Sequence, residues 1–205
     1  MLRPELKLAL LLIAGVVALD AIWALLVGST GPVAYGLVDE PAHLATCGVL
    51  LLGLSAIAGV RPPMRFIGAA LIATVLIDFD HLPGLLGSHL ITGDLPRPYT
   101  HSIVLVILLI GLGALLRRAD QRLLMLGLAF GVSAHLIRDL ATGPGVPLLW
   151  PFSDSVVTMP YGVYAAGLLL VTLAVVLTAR PRRRWRRPAR LPVRPLPSAG
   201  PQGGS

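Results

Sequence analysis

Hydrophobic positions along this chain form long apolar runs that are separated by polar or basic connections. Six runs can be delimited, at Leu6–Val27, His43–Val60, Phe66–His81, His101–Leu116, Leu123–Asp139 and Tyr161–Ala179. A helix needs roughly 17–25 residues to cross the hydrocarbon core of a bilayer. The first, second, fifth and sixth runs reach that length, and the other two reach it only when their polar outer ends are counted. The pattern therefore predicts an all-α fold, a polytopic membrane helix bundle of about six transmembrane helices.

Lys and Arg residues alternate along the connections between these runs. They occur before the first run, between the second and third, between the fourth and fifth, and after the sixth. The other connections hold only Arg97, with Arg138 at the outer end of the fifth run. Because basic residues favour the cytoplasmic side of membrane helices, we expect both termini to be cytoplasmic in a multi-pass protein of the inner or plasma membrane. The first run is too long for a typical signal peptide, and we interpret it as a retained helix.

The composition and charge agree with a membrane protein that carries a basic tail. Hydrophobic residues make up 55% of the chain and charged residues 13%, which is about half the charged fraction of a soluble domain. Eight of the seventeen Lys and Arg residues lie between Arg180 and Arg194. We therefore predict a transmembrane helical domain at 1–180 and a disordered, basic, Pro-rich cytoplasmic tail at 181–205. Membrane lipids are the expected partners, with anionic headgroups at the tail; nucleic acid is not expected, and the oligomeric state stays open.

Seven His and Asp residues occur near the outer ends of the middle four runs. They are His43, Asp78, Asp80, His81, His101, His135 and Asp139. At a rise of about 1.5 Å per residue, they lie about 20–27 Å from the arginine at the cytoplasmic end of the same helix. They share a layer roughly 7 Å thick, near the outer edge of a hydrocarbon core about 30 Å thick. Ionisable groups inside a membrane are costly and usually functional, so this coincidence predicts a site.

The residue types in that layer are those of a metal centre. His135 and Asp139 are spaced i,i+4, and Asp78 and His81 are spaced i,i+3, so each pair shares a helix face. We expect His43, Asp78, His81, His101, His135 and Asp139 to bind a divalent metal, zinc first, with manganese or iron as alternatives. Asp80 faces elsewhere on a regular helix, and we predict a catalytic role for Asp80 and Asp78, with support of a ligand as the alternative for Asp80. A metal-free hydrogen-bonded network or a proton relay is the competing interpretation of the cluster.

Other polar residues lie close to this layer. Arg97 and Arg138 are each near a candidate ligand and are predicted to bind an anionic substrate such as a phosphate or carboxylate. A salt bridge with an Asp of the cluster is the alternative for Arg138. Asp20, in the first run, is expected to bond a neighbouring helix rather than to join the site. The two long outer loops are rich in Gly and Pro yet apolar, and we expect them to cover the site.

Four segments resemble the YdjM-like family of inner-membrane metal-dependent hydrolases. They read AHL at 42–44, DFDH at 78–81, RPYTHS at 97–102 and AHLIRDLATGPGVPLLWP at 134–151. The resemblance implies that the seven His and Asp residues above form the metal and catalytic set. The sequence departs from the family pattern at Pro96, which stands where the family's HRxxTHS motif has its first His. Either that His is dispensable, or His89 substitutes for it, or this member has an altered activity.

The residues and the resemblance together predict a membrane-embedded, metal-dependent hydrolase. Its substrate would be an ester or phosphoester, with a lipid-linked one favoured by the position of the site at the extracytoplasmic edge of the hydrocarbon. Two other classes remain open. A metal-ion or proton transporter would need a polar relay toward the cytoplasm, which the inner halves of the runs lack. A non-catalytic membrane interaction protein would use the metal only to stabilise its fold.

Overall fold

The computed structural model describes residues 4–26, 32–88, 90, 93 and 95–178, with backbone alone at 32–35. The helices are α1 (Pro4–Leu26), α2 (Pro32–Ala58), α3 (Met64–Leu76), the one-turn α4 (Leu82–Leu85), α5 (Ile103–Leu115), α6 (Ala119–Thr142) and α7 (Tyr161–Thr178), and a 3-10 turn at Ile77–His81 joins α3 to α4. Among the described residues, the only β-type pairing is one isolated antiparallel bridge between Val146 and Val157. The predicted all-α class is confirmed. The basic tail and His89 lie outside the described residues.

Five helical segments in the described part of the chain are long and apolar enough to cross a membrane. One of them, Met64–Leu85, runs from α3 through the 3-10 turn into α4. The sixth, α5, has only 13 residues and a length of about 20 Å. A helical membrane protein is therefore confirmed, while the exact number of spans and the orientation of the termini stay predictions.

The segment that carries His101 differs from the expected helix. Ser102 is extended, at φ −134° and ψ 154°, so α5 begins only at Ile103. The backbone N–H of Ile103 donates to the carbonyl oxygen of Leu148, 2.9 Å away in the loop after α6, rather than continuing a helix toward His101. The His101 N–H instead closes a turn onto the carbonyl oxygen of Pro98, at 3.0 Å. His101 is thus positioned by a loop that precedes the helix.

The basic connections meet at one end of the bundle. Arg61, after α2, lies 2.8 Å from Glu5 at the start of α1, and Arg65, at the start of α3, lies 2.9 Å from Asp120 at the start of α6. These exposed ion pairs add little stability, but they show that the connections share one end. The His and Asp cluster lies toward the opposite ends of α2, α3 and α6.

Small residues let α3 and α6 approach closely below the cluster. Gly127 and Gly131 form a GxxxG pattern on α6, of the kind that permits tight helix contacts in membranes. A Cβ atom on Gly127 would lie 2.5 Å from the carbonyl oxygen of Phe66, and one on Gly131 would overlap the carbonyl oxygen of Ala70. The side chain of Thr74, one turn further along α3, bonds the carbonyl oxygen of Gly131 at 3.2 Å. This contact brings the outer end of α3 against α6, where the site lies.

Candidate metal centre

Four separate segments bring the seven predicted His and Asp residues together. Their side chains form two groups, within each of which one ligand atom per residue lies within 4.8 Å of the others. The deep group consists of His43 from α2 with His135 and Asp139 from α6, all fully buried. The shallow group consists of Asp78, Asp80 and His81 from the 3-10 turn with His101 from the turn before α5. Their roles as ligands or catalysts stay predictions, but the convergence is a property of the fold.

In the deep group, Asp139 lies between two histidines. Its Oδ1 is 3.3 Å from His43 Nε2, and its Oδ2 is 3.0 Å from His135 Nε2. The two imidazole rings stack in parallel, with centroids 3.8 Å apart and planes inclined by 7°. Both Nε2 atoms therefore point toward the same carboxylate.

A backbone contact defines the tautomer of His135. Its Nδ1 lies 2.7 Å from the carbonyl oxygen of Thr74, and since a carbonyl only accepts, Nδ1 carries the hydrogen. The Nε2 lone pair is then directed into the site, which is the arrangement of metal-binding histidines. This Nε2 and that of His43 both lie near Asp139, but neither makes a hydrogen bond of acceptable geometry among the described residues. Buried polar atoms normally have a partner, so these two orphaned nitrogens fit a bound cation.

The shallow group owes its shape to the 3-10 turn. Three residues per turn place Asp78 and His81 directly above one another, and Asp78 Oδ1 lies 3.5 Å from His81 Nε2 and 3.2 Å from His101 Nε2. The same turn carries Asp80 toward the other ring nitrogen of His101, with Oδ2 3.4 Å from Nδ1. The Thr100 hydroxyl also donates to this Oδ2. Asp80 thus lies behind the His101 ring, on the side where carboxylates support metal-binding histidines, but His101 Nδ1 makes no hydrogen bond to it among the described residues.

The two groups are joined through their carboxylates. Asp78 Oδ1 lies 3.4 Å from His135 Nε2 in the deep group, and Asp139 Oδ2 lies 3.5 Å from His101 Nε2 in the shallow group. Ligands of a tetrahedral zinc ion lie about 3.3–3.6 Å from one another, because each is about 2.0–2.2 Å from the metal. Of the His–Asp separations within the groups, two, at 3.3 and 3.5 Å, fall in that range, and the other two, at 3.0 and 3.2 Å, are slightly shorter. The donor set therefore fits a divalent metal by both chemistry and distance.

Arg138 is fully buried and turned away from the two groups. Its Nη2 donates to Asp20 Oδ1 at 2.7 Å, and its Nη1 donates to Asp39. Arg138 thus forms salt bridges, but with Asp20 and Asp39 rather than with an Asp of the predicted cluster, and contact with a substrate would require both pairs to open. Asp20 also accepts a hydrogen bond from the Tyr161 hydroxyl at 2.8 Å. It bonds neighbouring helices, as expected.

Arg97 lies beside the deep group. Its Nη1 is 2.8 Å from Asp139 Oδ2, and the residue is only 8% exposed. Gly143 packs against the guanidinium, where any Cβ atom would overlap it. Arg97 is thus the basic side chain nearest the ligands, and its predicted role in binding an anionic substrate stays a prediction.

Two carboxylates on α2 belong to this region although they were not among the predicted site residues. Asp39 Oδ2 lies 3.6 Å from His43 Nε2. The Glu40 carboxyl lies close to that of Asp78, and its Oε2 is buried without a hydrogen-bond partner in the described part of the chain. Their spacings of i,i+4 and i,i+3 from His43 were the available signal. The apolar pattern did not single out Glu40 because its segment lies before the second run.

Loop residues around the shallow group also contact each other across the outer end. The Tyr99 ring stacks on the Trp150 ring, with centroids 4.4 Å apart and planes inclined by 6°. Tyr99 precedes His101 by two residues, and Trp150 belongs to the loop after α6. The two Gly/Pro-rich loops therefore pack together beside the site.

Comparison with known proteins gives one match. The model of a family described as YdjM inner membrane protein matches residues 39–194, a segment that includes every residue of both groups. No curated protein and no solved structure matches the chain.

Proposed function

The chain belongs to the YdjM inner membrane protein family, and we propose that it is a membrane-embedded, metal-dependent hydrolase. Its substrate is an ester or phosphoester, in the first place a lipid-linked one, at the extracytoplasmic face. One observation carries this proposal. Four segments of a bundle of apolar helices bring together two groups of His and Asp side chains that could each hold a metal ion. A structural network would not require buried imidazole nitrogens that lack hydrogen bonds.

Different residues of the chain would have different roles in such a reaction. When bound, a divalent metal polarises the scissile group and makes water nucleophilic near neutral pH. The Thr74 carbonyl holds the ring of His135 with its Nε2 toward the centre, and Asp80 lies beside Nδ1 of His101, whose Nε2 faces Asp78. Asp80 Oδ1 has no hydrogen bond among the described residues, which leaves it able to accept a proton from the attacking water.

Access to the centre supports a lipid-linked substrate. The deep group is fully buried, whereas the His81 side chain in the shallow group is 35% exposed. Phe79 and Leu82, which flank His81, expose apolar side chains at the surface of the bundle. A substrate anchored in the hydrocarbon would reach His81 sideways, without leaving the bilayer.

The orientation of the protein follows from its basic end. The ion pairs of Arg61 and Arg65 gather the basic connections at one end of the bundle, and basic residues favour the cytoplasm. With α5 counted as a span, the chain crosses the membrane six times and both termini are cytoplasmic. The tail then lies where anionic lipid headgroups are available to its arginines.

Metal analysis followed by a substrate screen tests the proposal. The full-length protein, purified in lipid nanodiscs, should contain a stoichiometric transition metal and should cleave at least one class of lipid ester or phosphoester. A chelator should remove both the metal and the cleavage, and re-addition of Zn²⁺ or Mn²⁺ should restore them. His135→Ala should lose activity, whereas Asp120→Asn, a carboxylate change at the basic end, should retain it. A folded protein that holds no transition metal would rule the proposal out.

A further inference from the structure

Negative charge is in excess around the two ligand groups. Six carboxylates and two guanidiniums form one connected set of contacts. The carboxylates are those of Asp20, Asp39, Glu40, Asp78, Asp80 and Asp139, and the guanidiniums are those of Arg97 and Arg138. When the histidines of both groups are neutral, as metal binding requires, the two guanidiniums leave these carboxylates in excess; without a cation, protonated histidines supply positive charge instead. Uncompensated charge is strongly unfavourable in a buried site, and more so in a membrane.

We propose that this centre binds two divalent cations, one in the deep group and one in the shallow group. Each group has its own histidines and carboxylates, so a single cation in one group would leave the donors of the other group without a metal. The inference rests on the metal centre of the proposed function and specifies its nuclearity.

The two carboxylates between the groups have the positions of bridging ligands. Asp78 Oδ1 contacts His81 and His101 of the shallow group at 3.5 and 3.2 Å, and His135 of the deep group at 3.4 Å. Asp139 Oδ1 lies 3.3 Å from Nε2 of His43 in the deep group, and its Oδ2 lies 3.5 Å from Nε2 of His101 in the shallow group. One carboxylate from each group thus reaches a histidine of the other. Paired metals about 3.5–4 Å apart hold both the attacking and the leaving oxygen of a displacement, which favours a phosphoester substrate.

Glu40 provides a further carboxylate for the shallow group. Two carboxyl groups as close as those of Glu40 and Asp78 repel each other when both are ionised, and either a shared proton or a cation relieves that repulsion. Glu40 is not one of the converging donors of the shallow group, and we therefore assign it as an outer carboxylate that acts on the cation through Asp78.

Metal counting on the full-length protein in nanodiscs tests the nuclearity. After saturation with Zn²⁺ and removal of excess, mass spectrometry should find two zinc ions per chain. X-ray absorption on the same unmutated sample should show a metal–metal distance of about 3.5–4 Å. One zinc ion per chain without a metal–metal signal, or no zinc, overturns the proposal.

Variants that each remove one histidine from a single group give an independent count of the zinc ions. His81→Ala should leave one zinc ion, held by the deep group, and His43→Ala should leave one, held by the shallow group, while the double variant should hold none. Glu40→Gln should weaken only the ion that His81→Ala removes, and Asp120→Asn should keep both. If either single variant loses all zinc while its circular dichroism and monodispersity match the parent, the ions are not held in separate groups and the proposal fails.

The number of zinc ions and the hydrolase activity can each be refuted without the other. One zinc ion per chain with intact hydrolysis would refute the nuclearity and leave the hydrolase standing. Two zinc ions without cleavage of any lipid ester or phosphoester would refute the hydrolase and leave the nuclearity standing.

Discussion

Asp20 of α1 and Arg138 of α6 form a buried ion pair, with Oδ1 and Nη2 2.7 Å apart. Arg138 also pairs with Asp39, whose Oδ2 lies 3.6 Å from the His43 ring. The Tyr161 hydroxyl donates to the second oxygen of Asp20 at 2.8 Å. Charged residues from α1, α2 and α6 and a tyrosine of α7 thereby meet next to the deep group. Helix α1 lies before residues 39–194, which match the family model, and this network connects it to the deep group.

The network predicts a stability role for Asp20. Asp20→Asn removes one of the two charges that compensate buried Arg138, so we expect a loss of about 1–3 kcal/mol in the free energy of unfolding. Thermal melting of the variant and the parent in nanodiscs measures this loss of stability. The zinc content should not change, because Asp20 contacts neither group. The control is Asp120→Asn, which breaks an exposed pair with Arg65 and should cost less than about 1 kcal/mol. Equal effects of the two changes would contradict a specific role for Asp20.

The hydroxyl of Thr100 should matter for metal affinity. Thr100→Val keeps the side-chain shape but removes the donor to Asp80, which lies beside Nδ1 of His101. Loss of such outer partners lowers metal affinity about 10–100-fold, and competition with a chelator measures the change. Only the shallow group should be affected. Thr178→Val, an exposed change near the end of α7, is the matched control; an equal loss there would count against the assignment.

Close approach of α3 and α6 predicts that Gly131 is essential. In Gly131→Ala the added Cβ would overlap the carbonyl oxygen of Ala70, which forces the helices apart and moves Thr74 away from His135. Overpacking of this kind costs about 1–3 kcal/mol or more, and we expect both melting temperature and zinc content to fall. Gly167→Ala on α7, where nothing lies within 4 Å of the added methyl group, should be neutral or slightly stabilising. Unchanged zinc binding in Gly131→Ala would show that the helix contact does not shape the site.

Substrate kinetics can distinguish two roles for Arg97. If its guanidinium binds an anionic headgroup, Arg97→Gln should raise KM for anionic lipids about 10-fold or more and leave KM for neutral esters nearly unchanged. If Arg97 serves only to balance the charge of Asp139, both substrate classes should be affected alike, together with zinc affinity. Arg65→Gln, at the basic end, controls for a general loss of positive charge.

The sequence by itself determined the membrane class and predicts a common level for the candidate site residues. Both follow from distances along single helices: a run of about 20 residues spans the core, and a rise of about 1.5 Å per residue places His43, Asp78 and His135 at one level. Neither inference needs to know how the helices pack. The arginines that defined the basic connections are likewise a property of the order of residues along the chain.

Only the tertiary structure decided which atoms face each other at that level. The 3-10 turn directs Asp80 to the back of His101, Arg138 is turned to Asp20 and Asp39, and Glu40 meets Asp78. These relations depend on the rotation of each helix about its axis and on local departures from regular helix. They are set by contacts between segments far apart in sequence, such as Gly131 against Ala70, so spacing along one helix carries no information about them. The division into two ligand groups is therefore a consequence of packing.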